Sequence, residues 1–283
     1  METNMSVDII DLIKARSENA IKEEDGDYIG ADGLLYCGKC NTPKQTIISA
    51  CGKPPRCVNM LCECEKEREE KKKEAAERRA FAEKVQRYRK MGFPQSQMEH
   101  WTFENDDGTN EKLTDMAKRY VENFRTFREE GKGLLLYGDV GTGKTYIACM
   151  IANALIDKGY PVLVTNFARI LSALQSTYEK QEYLDSLNEF ALLVIDDLGI
   201  ERDTSYAKEQ VFNIIDSRYR SGKPMIITTN LTYRILTTET ELANKRVYDR
   251  IIERCHPIKV SGESRRTRAQ ASSYSDMKKL LGI

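Results

Sequence analysis

The 283 residues carry 44 basic and 44 acidic side chains, so no global field draws the chain to nucleic acid. The apolar runs are far too short to span a bilayer, which excludes a membrane-spanning class. Eight cysteines, behind a Met1-Glu2-Thr3-Asn4 start that lacks the basic and apolar regions of a signal peptide, fit a cytoplasmic protein whose thiols bind metal or stay buried.

The first block, residues 1–64, opens on an amphipathic helix signal (Val7, Ile10, Ile13, Ile21) and holds six of the eight cysteines. Cys37-Gly38-Lys39-Cys40 is a C-x-x-C knuckle, and Cys62-Glu63-Cys64 is a second close pair 22 residues on. Two such pairs meet the four-thiolate demand of a structural Zn²⁺. Cys51 and Cys57 lie between them, and either is an alternative to Cys62 or Cys64. So few large apolar side chains cannot build a core, and a metal is the expected staple. Residues 65–90 are almost only charged residues and alanine, without Gly or Pro, and predict a solvated helix laced by i,i+4 pairs. Gly92, Pro94 and Asn105-Asp106-Asp107-Gly108 mark a joint. The division expected is a cysteine-rich zinc module at 1–66, a charged helical linker at 67–107 and a third, larger domain at 108–283.

A helix signal at 110–131 leads into alternating elements: strand 133–137, helix 144–158, strand 161–166, a broken helix 167–189 and strand 190–195. A helix at 205–221, a strand at 224–229 and a helix at 239–254 follow. This alternation predicts an α/β fold, a parallel sheet between helices. Five strands are expected, four of them located. Between the first strand and its helix, Gly138-Asp139-Val140-Gly141-Thr142-Gly143-Lys144-Thr145 fills every position of G-x-x-x-x-G-K-[ST]. The glycines let backbone N–H groups turn in around the β- and γ-phosphates. Lys144 supplies a point charge, Thr145 ligates Mg²⁺, and the helix from Tyr146 aims its N-terminus at the phosphates. The loop and Tyr146 are the nucleotide-binding residues of this reading.

Ala191-Leu192-Leu193-Val194-Ile195-Asp196-Asp197-Leu198 reads as a strand buried on both faces that ends in two carboxylates. Asp196 is placed to hold Mg²⁺ through water, and Asp197 to polarise the attacking water. Glu201 is a substitute base. The strand Pro224–Thr229 ends in Asn230, whose amide can bond the attacking water and the γ-phosphate, and which is placed two strand-ends from the nucleotide.

Four segments together resemble the DnaC/DnaI-type AAA+ helicase loaders and the related IstB-type transposition ATPases, over roughly residues 93–270. They are Gly133–Gly138, Val194–Glu201, Asn213–Tyr219 and Thr228–Leu231. The resemblance implies an ATP-hydrolysing AAA+ core that assembles as a ring or open spiral on a DnaB-type replicative helicase, a phage or prophage replication module being one setting for it. It implies that Arg250 is the arginine finger reaching a neighbour's γ-phosphate. It implies that Arg266 is the sensor-2 arginine, with Arg265 the alternative register. It also implies that the cysteine module binds the helicase, and that the segment from Phe167 to Tyr183 lines a pore for single-stranded DNA, with Arg169 and Lys180 on phosphates and Tyr178 and Tyr183 on bases. Phe167, Ile170, Leu171 and Leu174 also fit an ordinary core face. From Lys245 onward ten Lys/Arg stand against four Asp/Glu, a basic end suited to phosphates. The rival functions are a transposition helper that binds duplex DNA and a nucleotide-gated adaptor with negligible hydrolysis.

Overall fold

A computed structural model of the chain describes residues 24, 26–49, 55–199, 204–262, 264, 265, 274, 277, 278, 280 and 281. The amphipathic signal from Val7 to Ile21, Cys51, Glu201 and Arg266 lie outside the described residues. The chain forms two compact units, Met1–Ala80 and Phe81–Ile283.

The first unit is built on two antiparallel ribbons, β1 (Tyr28–Ile29) with β2 (Leu35–Tyr36), and β3 (Gln45–Ile48) with β4 (Arg56–Asn59). Its buried polar centre is Lys44, whose ammonium lies 2.7 Å from Asp27 Oδ2 and 3.6 Å from Glu65 Oε1. The Lys44 ammonium holds the Asp27 carboxyl down at about 2, helped by the backbone N–H of Glu24. The charged segment forms α1 (Glu63–Gly92), with pairs such as Arg78–Glu74 on its surface. The boundary between the two units falls inside this helix.

In the second unit a 3₁₀ turn (Ser96–His100) precedes two helices, α2 (Glu111–Glu122) and α3 (Phe124–Glu130). The single helix expected at 110–131 is thus two, because Asn123 leaves the helical region at the junction. Then follow β5 (Gly133–Tyr137), α4 (Lys144–Asp157), β6 (Val162–Asn166), α5 (Phe167–Ser176) and α6 (Lys180–Leu187). The chain continues through β7 (Leu192–Leu198), α7 (Ser205–Arg220), β8 (Met225–Thr229), α8 (Tyr233–Thr238), α9 (Leu242–Arg254) and β9 (Cys255–Lys259).

The sheet order is β6-β7-β8-β5-β9, all parallel. Period-2 alternation divides its side chains between two cores. Leu134 and Leu136 pack with α2 and α4, whereas Leu135 packs with Phe167, Ile170 and Ile251 on the other face. This order corrects one placement: β8 is the direct neighbour of β5, so Asn230 stands one strand-end from the loop, and the acidic strand β7 is the one set two away. Pro257 sits in β9, an edge strand, where an absent N–H costs no ladder bond on the open side.

Candidate functional site: a P-loop cleft and a four-cysteine cluster

The P-loop leaves the sheet at the carboxyl end of β5, where open α/β sheets bind ligands. Gly138 turns there at φ 145, and a Cβ at that position would lie 2.1 Å from the carbonyl oxygen of Val260. Gly143, at φ 97, caps the N-terminus of α4. Lys144 Nζ is buried and donates to the carbonyls of Gly138 (2.9 Å) and Asp139 (2.8 Å) and to Asn230 Oδ1 (2.7 Å). All three acceptors are neutral oxygens, and they hold the ammonium at the loop.

Thr145 Oγ1 donates to Asp196 Oδ1 at 2.8 Å, bringing the two expected Mg²⁺ ligands together. Thr228 Oγ1 donates to the same oxygen at 2.5 Å and accepts the Asp197 N–H at 2.9 Å. Burial pushes the Asp196 carboxyl above the usual carboxylate range, against the pull of the Thr228 and Thr145 hydroxyls. Between Ile195 and Leu198 the β7–β8 register shifts, and Asp197 takes φ 61, a left-handed conformation costly for a residue with a Cβ. The bulge turns Asp197 out of the ladder and into the cleft.

That cleft encloses about 750 Å³ and is lined by loop residues with Asp197, Asn230, Gln97, Trp101, Tyr146 and Arg265. The Trp101 and Tyr146 rings lie 5.6 Å apart, and the Tyr146 hydroxyl donates to Asn105 O at 2.8 Å. Asn153, fully buried in α4, donates to the carbonyls of Met98 (2.9 Å) and Trp101 (3.0 Å), which fixes the tryptophan segment on the core. Arg265, the alternative to Arg266, donates its backbone N–H to Gly141 O at 2.9 Å and places its guanidinium 4.3 Å from the Tyr146 ring centre. Its Nη2 lies 3.1 Å from Asp106 and 3.0 Å from Asp107. A second cleft at the opposite end of β5, lined by Tyr120, Phe127 and Ile258 among others, carries no phosphate loop.

Sequence reasoning missed Thr228, Trp101, Gln97 and the Asp106–Asp107 pair. Thr228 stands within a motif read for its asparagine, and Trp101 is the sole tryptophan. The aspartates looked like a joint because their partner lies 158 residues or more away. Arg250 is not part of the cleft. Its helix runs into Cys255, which pairs with Gly133 at the end of β5 remote from the loop. In α5, Phe167, Ile170 and Leu174 are buried as an ordinary core face, while Arg169 in the same helix, Tyr178 between the helices and Lys180 at the start of α6 are exposed. Lys180 lies over the Tyr206 ring at 5.5 Å.

In the first unit the sulfurs of Cys37, Cys40, Cys62 and Cys64 all lie within 4.8 Å of one another. Tetrahedral Zn–S bonds of about 2.3 Å place sulfurs about 3.8 Å apart. The pairs Cys37–Cys64 (3.5 Å) and Cys62–Cys64 (3.3 Å) are close to that spacing. The knuckle closes through the Asn41 N–H on Cys37 O (2.9 Å), with Asn41 left-handed at φ 54. Cys62 and Cys64 flank the start of α1, and burial pushes the Cys62 thiol up. Cys57, one of the alternatives, lies in β4 and is not in this group.

The loop, the acidic strand and the five-stranded parallel sheet define an AAA+ P-loop fold. Residues 59–273 match the family described as IstB-like ATP binding protein, and the chain belongs to that family. It is 29% identical over 167 residues to the replicative helicase loader DnaI of Bacillus subtilis, covering 54% of this chain and 52% of that one. It is 32% identical over 142 residues to the replicative helicase loader DnaC of Escherichia coli, covering 48% and 55%. The chain thus spans about half the length of these curated relatives. A crystal structure of DnaI superposes with a TM-score of 0.52 at 25% identity, covering 63% of this chain and 99% of that one.

Proposed function

We propose that this chain is an ATP-dependent loader of a replicative DNA helicase. The observation that carries the reading is the four-sulfur cluster of the first unit in the same chain as a complete P-loop site. A metal-stapled module suits protein capture, whereas a transposition helper would need a duplex-binding domain in that place. In this reading Cys37, Cys40, Cys62 and Cys64 hold Zn²⁺ and the module at 1–66 grips a DnaB-type helicase. Thr145 and Asp196 offer oxygens to Mg²⁺, which neutralises charge on the phosphates. Lys144 holds the β- and γ-oxygens, Asp197 takes the proton of the attacking water, and Asn230 orients that water. Arg265 or Arg266 meets the nucleotide from the same subunit, Arg250 from a neighbour in a ring or spiral, and exposed Arg169, Tyr178 and Lys180 meet single-stranded DNA.

The test is light scattering on the full chain mixed with its host's replicative helicase in Mg-ATP. A joint complex is expected, with close to one Zn²⁺ per chain. Cys37→Ser with Cys40→Ser should lose both the metal and the complex while keeping ATP binding. A complex that survives loss of the metal, or no complex with any helicase alongside tight duplex DNA binding, contradicts the reading.

A further inference from the structure

Helices α7 and α9 face each other through two stripes of identical spacing, i, i+4, i+7 and i+8. One is Phe212, Asp216, Tyr219 and Arg220, and the other is Arg246, Arg250, Glu253 and Arg254. Asp216, only 14% exposed, divides its carboxylate: Oδ1 lies 2.7 Å from Arg250 Nε, and Oδ2 lies 2.8 Å from Arg220 Nε. Arg250 Nη1 donates to the carbonyl of Arg246 at 3.0 Å, and the guanidinium lies 4.7 Å from the Phe212 ring centre. Two of its nitrogens are therefore held, and a second ring, Tyr219, lies 5.7 Å from the guanidinium. Among the described residues Nη2 makes no hydrogen bond, and the Arg250 side chain keeps 24% of its surface exposed.

We propose that Asp216 is a positioning residue for Arg250. It holds the guanidinium by Nε and leaves Nη2 as the donor for the γ-phosphate of ATP bound to a second copy of this chain. The proposal rests on the reading above that Arg250 acts across a subunit contact. A free arginine side chain samples many rotamers, and each must be given up on engagement. A guanidinium already fixed along one edge loses far less, and its planar fork transmits that orientation to the free nitrogen. Nothing in the carboxylate's position brings it to a nucleotide, so it acts only through the arginine.

Mixed-subunit turnover separates this role from simple pinning of two helices. The acceptor is Arg250→Ala, with an intact site and no finger. The donor is Lys144→Ala, with a finger and a dead site. ATP hydrolysis in the mixture then reports only donor fingers in acceptor sites. Asp216→Ala added to the donor should lower complemented kcat by about tenfold or more, with KM for ATP unchanged, in line with the cost of misplacing a catalytic group. Added to the acceptor, where no finger remains to be positioned, it should leave complementation as it was. Asp216→Gln and Asp216→Asn repeat the comparison, the second with the shape of the side chain kept. Equal loss in both positions, or loss in neither, overturns the proposal while the finger reading stands. Absence of complementation between the parent donor and acceptor overturns the finger reading itself, and the proposal with it.

Discussion

Two adjacent carboxylates, Asp196 and Asp197, meet different surroundings, and their substitutions should separate. Asp196 is largely buried beneath two hydroxyls with its pKa raised, so the folded state holds a proton there more tightly than the unfolded chain does. Stability from this site is full below the unfolded carboxylate's range and is lost as pH rises through the raised value. Asp196→Asn should flatten that fall in thermal melts of the nucleotide-free protein and raise its melting temperature at neutral pH. The same variant should bind ATP and lose Mg²⁺-dependent turnover by about 10²-fold or more. Unchanged turnover would show that another group holds the metal. Asp197 carries backbone strain instead. Asp197→Gly should therefore keep stability within about 1 kcal/mol of wild type or raise it, while lowering kcat by about 10²–10⁴-fold as a general base is lost. A destabilised glycine variant would argue against the left-handed conformation. Lys144→Ala should weaken ATP binding by at least about tenfold in calorimetry, the loss expected for a charge-assisted bond.

At the scale of elements, the phosphate loop, its strand and its helix were legible because a fixed motif lay between a short apolar run and a helical period. Four of the five strands followed from the same alternation. The fifth, Cys255–Lys259, did not, since His256 and Pro257 break the apolar pattern that marks a central strand and suit an edge. The helix expected at 239–254 begins at Leu242, after a turn in which Glu239 accepts the N–H groups of Thr240 and Glu241, and the short helix Tyr233–Thr238 before it was not anticipated. The ribbons of the first unit are two to four residues long, too short for any period to show. Arg218 lies within the family segment Asn213–Tyr219, yet its role is visible only in space. Its guanidinium is buried and donates to the carbonyls of Leu187, Phe190, Ala191 and Pro224, tying α7 to the starts of β7 and β8. Arg218→Ala leaves those carbonyls without a donor and should cost roughly 3 kcal/mol or more in urea unfolding. A loss below about 1 kcal/mol would mean that water replaces the guanidinium there.

At the scale of the whole molecule, the two compact units carry separate sites: a four-cysteine cluster in one, a P-loop cleft in the other. No described helix is long and apolar enough to cross a membrane. Removing metal with a strong chelator should therefore abolish helicase capture while ATP affinity in calorimetry stays as it was. Simultaneous loss of both would show that the second unit depends on the metal. The most direct test of the account is helicase deposition on circular single-stranded DNA, read as unwinding of an annealed strand by the host's replicative helicase. With the full chain and ATP, unwinding should rise by an order of magnitude or more over helicase alone, and Lys144→Ala should give none of that rise. Stimulation that is equal with Lys144→Ala, or absent with the wild-type chain, would contradict an ATP-driven loader.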